Sequence, residues 1–279
     1  MWNLIRADFY RIIRGIALYI TLAVVLALNL LIVGTLHAFQ SGAFDESLEA
    51  AAAMGNADAL DAAMAEIQAM TINGVQITSI LTGSMENFLW FLLPIVIVVA
   101  STIFTHGTVK NDIAFGLSRT KLYVSKLLLA TAIGIVFLLF YMGTGMLLAT
   151  LFGGFGGPAP VGHWSNLFQV LGLQFILIFA TICIGIFLAF TTKRTAAVNG
   201  IFIALLLVPP LVISLLELAS PGFSRLFDYD ISYNTIRLSR LGCCCLETRD
   251  LMHALGLGAF YILATTIGGI ALFRRAEIK

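Results

Sequence analysis

Six long apolar runs, each free of charged residues between its ends, constrain this chain more than any other feature of its sequence. A helix needs ~20 predominantly apolar residues to cross the ~30 Å of hydrocarbon in a bilayer. We therefore predict an all-α, polytopic integral membrane protein whose residues 1–279 form a single transmembrane domain. The six predicted transmembrane helices cover residues 16–36, 87–105, 127–152, 167–191, 195–216 and 252–273.

The composition excludes a soluble globular domain. Hydrophobic residues make up 59% of the chain and charged residues only 11%, with a mean hydropathy of +0.98. A soluble domain carries roughly 25% charged residues. Lipid must therefore cover most of the protein surface.

Three prolines fall inside these runs. Pro94 lies in the second run, and Pro209 and Pro210 lie in the fifth. Each proline removes a helix hydrogen bond, so a kink is expected, and the Pro pair predicts an interruption of the fifth helix.

The distribution of charge predicts the orientation of the chain. Twelve of the 16 Lys and Arg residues lie before the first run, between the second and third, between the fourth and fifth, or after the sixth. Segment 37–86 contains seven acidic residues and no Lys or Arg. Because short cytoplasmic loops are enriched in Lys and Arg, we predict a multi-pass cell-membrane protein with both termini in the cytoplasm.

Three further segments carry predicted structure outside the spans. Residues 1–14 are expected to form an amphipathic elbow helix in the membrane interface. Segment 37–86 predicts an extracytoplasmic helical insertion, and segment 217–250 predicts outer re-entrant or surface helices. In the elbow helix one arc holds Trp2, Ile5, Phe9, Ile12 and Ile13, whereas Asp8, Arg11 and Arg14 lie off it.

The connector 106–120, between the second and third spans, is basic but not merely polar. Val109, Ile113 and Leu117 follow helical spacing, which predicts a short amphipathic helix that ends near Gly116. An apolar stripe flanked by charge is the form of helix that docks into a groove on a partner. The alternative is a solvated loop that serves only to set the topology.

Motifs for catalysis in this chain are absent from the sequence. The dipeptide Gly-Lys does not occur, so there is no Walker A motif, and strings such as HExxH and GxSxG are missing. We predict no enzyme activity, no catalytic, cofactor-binding or metal-binding residues, and no nucleic-acid partner. The spans also lack Asp, Glu, Lys and Arg between their ends, which weakens an ion-coupled mechanism.

The region after the second span resembles the membrane subunits of type-2 ATP-binding-cassette (ABC) transporters. That family shows a G-T-[IV]-[KR]-N stretch, then a Gly or Pro, S-R, and [IL]-Y-x-[SA]-K. The matching residues are Gly107, Thr108, Val109, Lys110 and Asn111, then Gly116, Ser118 and Arg119, and finally Leu122, Tyr123, Ser125 and Lys126. The elbow helix, six spans, cytoplasmic termini and outer helices are also similar to the family pattern.

The resemblance implies a permease subunit of an exporter that moves an amphipathic or lipophilic cargo, such as a peptide (bacteriocin), an antibiotic or a lipid. A second permease subunit, identical or related, and a cytoplasmic ATPase that holds ATP and Mg are the implied partners, with membrane lipid around them. The implied coupling helix contacts the ATPase through Gly107, Thr108, Val109, Lys110, Asn111, Ile113, Leu117, Ser118 and Arg119. Two alternatives stay open: an ion-coupled secondary transporter, or a membrane sensor or scaffold subunit with segment 37–86 as its receptor.

Overall fold

The structure is a computed structural model that describes residues 2–43, 72–105, 109, 113, 116–239 and 248–275. All secondary structure within these ranges is helical. The helices are α1 (Trp2–Ile13), α2 (Ile16–Gln40), α3 (Ile77–Gly83), α4 (Met85–Val96), α5 (Thr102–Thr105), α6 (Arg119–Gly153), α7 (His163–Thr192), α8 (Thr195–Ala219), α9 (Ile231–Ser239) and α10 (Thr248–Arg275). A π-helical turn (Ile97–Ser101) joins α4 to α5, and a 3₁₀-helix (Pro221–Tyr229) follows α8.

Five of these helices are long and apolar enough to cross a membrane, namely α2, α6, α7, α8 and α10. A sixth span is formed if α3 and the stretch Met85–Ser101, which meet at a bend of 66°, are counted together. Five of the six predicted apolar runs lie within these helices, and the second run, 87–105, begins in the bent unit and ends in α5. The prediction of an all-helical chain with several apolar spans is thereby confirmed, and it is compatible with a polytopic membrane protein.

The bend in the second span lies at Ser84 and was not predicted. Residues 77–83 were assigned to the outer segment 37–86 by the sequence, but they form α3, whose Ile77 and Leu81 are completely buried. The Leu81 side chain packs directly against Gly145 of α6, and a Cβ at this glycine would overlap the leucine. Burial of this apolar face holds α3 inside the bundle.

The prolines affect the two spans differently. Pro94 is followed within three residues by the π-helical turn, which is a common way for a helix to absorb a disrupted hydrogen-bond ladder. The predicted interruption at Pro209 and Pro210 is wrong, because α8 continues as an α-helix through both residues. The two prolines leave the carbonyls of Leu205 and Leu206 without an N–H donor. Breaking the helix in hydrocarbon would leave more backbone groups unpaired than these two, so the continuous helix is favoured.

Helix α7 lies at the centre of the fold. The protein itself buries 67% of the apolar stretch of α7, against 17% for α8 and 17% for α10. Helix α7 packs most extensively on α10, and α2 packs on α6. Helices α2, α8 and α10 therefore turn long apolar faces outward, as expected for a surface in contact with lipid.

Candidate functional site

The helix ends that carry the basic residues meet at one end of the bundle. We call this the basic end; it comprises α1, α5, the starts of α6 and α8, and the last turns of α7 and α10. The Ser101 hydroxyl donates to the Thr195 hydroxyl oxygen at 2.9 Å, which joins the second span to α8. The predicted connector 106–120 enters the fold at this end.

An aromatic cluster forms the interior of the basic end. The Phe190 ring of α7 lies 5.2 Å from Phe104, 4.7 Å from Phe273 and 4.9 Å from Tyr123, measured between ring centroids. Edge-to-face and tilted contacts of this kind add to the stability that burial provides. Gly269 lies against Tyr123, and a Cβ there would overlap the phenol. Four helices thus share one packed block.

Arg119 connects the start of α6 to the end of α10. Its guanidinium Nη1 donates to the carbonyl oxygens of Phe273 at 3.2 Å and Arg274 at 2.9 Å. A cation at a helix C-terminus also stabilises the helix dipole. Beside it, the Ser118 hydroxyl oxygen accepts from the backbone N–H of Lys121 at 3.3 Å and caps α6. Ser118 and Arg119, two residues of the predicted partner-binding set, therefore have structural contacts within the chain.

The described part of the connector packs onto the bundle. Val109 is 2% exposed and belongs to the hydrophobic core, and Ile113 is half-buried against that core. Gly116 has a φ of +84°, and its N–H donates to the Ile113 carbonyl at 3.0 Å. Leu117 is half-buried. The other predicted partner-binding residues, Gly107, Thr108, Lys110 and Asn111, lie outside the described residues.

A buried ion pair attaches α1 to α6. Lys126 is 1% exposed, and its Nζ lies 2.5 Å from Oδ2 of Asp8. The other carboxylate oxygen of Asp8 lies 3.4 Å from the Arg11 guanidinium. Burying a charge is costly unless an opposite charge with good geometry compensates it. The pair therefore specifies where α1 packs on α6.

The sequence places Asp8 off the apolar arc of α1 but does not predict its buried partner on α6. Asp8 is 8% exposed and Ile12 is 2% exposed, whereas Phe9 on the predicted apolar arc is 47% exposed. The helix buries the side that contacts α6 and turns Phe9 outward. One signal was available: Asp8 is the sole acidic residue among the first 44, which is unusual in a basic segment.

The opposite end of the bundle has its own polar contacts. The buried Gln174 amide of α7 donates to the carbonyls of Thr82, beside the bend, and Thr235 of α9, both at 2.9 Å. The Asp230 carboxylate accepts from the Tyr233 N–H at 2.7 Å and so caps α9. Burial raises the pKa of Asp230 above its ordinary value, although backbone hydrogen bonds act in the opposite direction. These contacts hold α3 and α9 against α7.

Nothing in the described ranges brings three or more His, Cys, Asp or Glu side chains together as a metal site. Comparison of the chain with protein-family models, with curated proteins and with solved structures gives no match.

Proposed function

We propose that this chain is the transmembrane permease subunit of an ATP-driven exporter of the type-2 ABC class. It works as a dimer of permease subunits in the cell membrane, with both termini in the cytoplasm, and a separate ATPase subunit supplies the energy. The cargo is amphipathic or lipophilic. The observation that carries the proposal is that the connector 106–120 leads into the start of α6, where Arg119 binds the end of α10 and Lys126 binds α1.

The contacts at the basic end support a role in force transmission. The connector leads directly into the capped start of α6, and Arg119 at that start holds the end of α10. About two turns further along α6, Lys126 holds α1. A push on the connector is therefore shared by α6, α10 and α1 rather than being absorbed in a flexible loop.

Charge in the protein also favours an external energy source. The chain contains no Gly-Lys dipeptide, so a Walker A motif must come from another polypeptide. The one buried Lys–Asp pair in the described ranges is at the basic end, where it joins two helices. The middles of the spans contain no ionisable acid or base of the kind that proton-coupled transporters use.

Purification of the tagged chain from its native membranes tests the proposal. We expect a polypeptide with a Walker A motif and ATPase activity to co-purify with the wild-type chain. The variant Leu117→Asp, at a half-buried position outside the core, is expected to lose this subunit. Val109 is unsuitable for the test because it is buried. Arg194→Glu, at an exposed position in the next basic connector, is the control and should retain the ATPase.

Two results contradict the proposal. One is a wild-type preparation that contains no nucleotide-hydrolysing subunit. The other is full-rate transport of cargo by the purified chain alone in liposomes. The thermal unfolding midpoint of Leu117→Asp must stay near that of the wild type, so that loss of the ATPase is not a folding defect.

An ion-coupled transporter is the second candidate, and the 66° bend of the second span is the observation that favours it. Broken helices in secondary transporters expose backbone groups that bind ions. Here the Thr82 carbonyl beside the bend already accepts a hydrogen bond from Gln174. Flux that follows an ion gradient in proteoliposomes without an ATPase would establish this alternative.

A further inference from the structure

A groove of about 590 Å³ opens between α4 and α8 at the end of the bundle opposite the basic end. We call it the α4–α8 groove. Its volume falls in the ~300–1,000 Å³ range of small-molecule sites. Most of the lining is apolar, and Trp90 of α4 is 37% exposed there. The lining residues are Glu86, Asn87, Leu89, Trp90, Leu206, Leu207, Pro210, Leu211, Ser214, Leu215, Leu218 and Ser232.

The polar side chains that line this groove are those of Glu86, Asn87, Ser214 and Ser232. Glu86 contributes a carboxylate, and no ion pair to it is found among the described residues. Ser214 donates its hydroxyl hydrogen to the Pro210 carbonyl at 2.8 Å, so its oxygen offers only acceptor capacity to the groove. The lining contains no Lys, Arg or His.

We infer that the α4–α8 groove binds a cationic amphiphile, with its ammonium group at Glu86 and its apolar body along Trp90 and the leucines of α8. This inference rests on the proposed function, since it names the charge class of the exported cargo. A groove with one carboxylate and no cationic side chain is complementary to a protonated amine, which brings donors and a positive charge. Trp90 lies one turn from Glu86 on α4 and lines the same groove, where an indole can bind a cation through its ring face.

The position of Glu86 has a simpler partial explanation, and the two explanations predict different results. Glu86 lies in the first turn of α4, where the helix dipole stabilises a carboxylate. If stabilising the helix is its sole role, Glu86→Gln lowers stability slightly and leaves ligand binding unchanged. If Glu86 recognises a cation, the same variant weakens binding of cations and not of anions.

The experiment uses the full chain in phosphatidylcholine nanodiscs and two probes that share a dansyl group and an undecyl chain. One probe ends in a primary ammonium and the other in a carboxylate. Energy transfer from tryptophan to dansyl reports binding, because Trp90 lines the groove. We expect the ammonium probe to bind and Glu86→Gln to weaken it at least tenfold. The carboxylate probe is expected to bind weakly to both proteins.

Two control variants separate the groove from general surface charge. Glu217→Gln removes an exposed acid of α8 that is not part of the lining, and it should leave binding of the ammonium probe unchanged. Ser214→Phe fills the groove while keeping Glu86, and it should abolish binding. Equal binding of the two probes, or equal effects of the Glu86 and Glu217 variants, overturns the inference.

The binding assay is independent of the ATPase, so the two proposals fail separately. Loss of charge discrimination in a chain that still co-purifies with an ATPase refutes only the cationic cargo. Glu86-dependent binding in a chain that retains no ATPase refutes the permease function and leaves the α4–α8 groove as a cation site.

Discussion

Removing either side chain of the buried Asp8–Lys126 pair should destabilise the protein. The reason lies in what each substitution leaves behind. In Asp8→Asn, the remaining Lys126 ammonium is on a residue that is 1% exposed. In Lys126→Met, the remaining carboxylate keeps Arg11 at 3.4 Å, and its side chain is 11% exposed. Breaking a buried pair by removing one partner costs about 3–5 kcal/mol.

We therefore expect each single substitution to cost up to about 3–5 kcal/mol. The double variant should recover most of the loss, since replacement of a buried pair by uncharged groups is often neutral. A cost of this size corresponds to a fall in the unfolding midpoint of about 2 °C per kcal/mol for a chain of this length.

The assay is reversible unfolding of the full chain in mixed micelles, followed by tryptophan fluorescence, for the wild type, both single variants and the double variant. Asp228→Asn is the matched control, because its pair with Arg237 at 2.9 Å is partly exposed at 41% and 32%. Such surface pairs contribute about 0–1 kcal/mol. A cost for Asp8→Asn that is no larger than that of the control would refute the expectation. A double variant whose loss of stability equals the sum of the two single losses would also refute it.

Three further predictions concern other parts of the fold. Gly269→Ala forces a methyl group into Tyr123 and should cost about 1–3 kcal/mol, whereas Gly268→Ala, whose Cβ meets a neighbour at an ordinary 3.6 Å, should be nearly neutral in the same unfolding assay. Gln174→Leu removes the donor that serves carbonyls of α3 and α9 and should cost about 1–3 kcal/mol per unsatisfied group; unchanged protection of both helices in hydrogen exchange would contradict this. Because burial raises the pKa of Asp230, protonation favours the folded state, so wild-type stability relative to Asp230→Asn should rise as pH falls from 7 toward 4. A difference that is constant with pH, or that grows as pH rises, would refute the assignment.

The spans were predictable because hydrocarbon imposes one requirement on length and polarity. Residues 16–36 and 195–216 were predicted to be apolar helices, and they lie within Ile16–Gln40 and Thr195–Ala219. The ends were less predictable, because capping and packing determine them. Helix α6 begins at Arg119 rather than at 127, because Ser118 caps it and Arg119 binds the end of α10.

The bend and the candidate site depend on contacts between residues that are distant in sequence. Residues 77–83 have no pattern that separates an outer helix from a buried one, and Leu81 is buried because Gly145 of α6 makes room for it. Asp8 and Lys126 are 118 residues apart, and no local periodicity relates them. The connector was identified by its resemblance to a family motif, and the structure places Val109 in the core rather than on a surface for a partner.

The length of α6 has a mechanical consequence. At about 1.5 Å per residue, its 35 residues measure about 52 Å, well beyond the ~30 Å that hydrocarbon covers. Because of this excess length, at least one end of α6 extends beyond the hydrocarbon. Ser118 caps the first turn of α6, and no proline interrupts the helix. A lateral displacement of the Ser118 end would therefore tilt α6 across the whole thickness of the membrane, because the helix has no break that could absorb the movement.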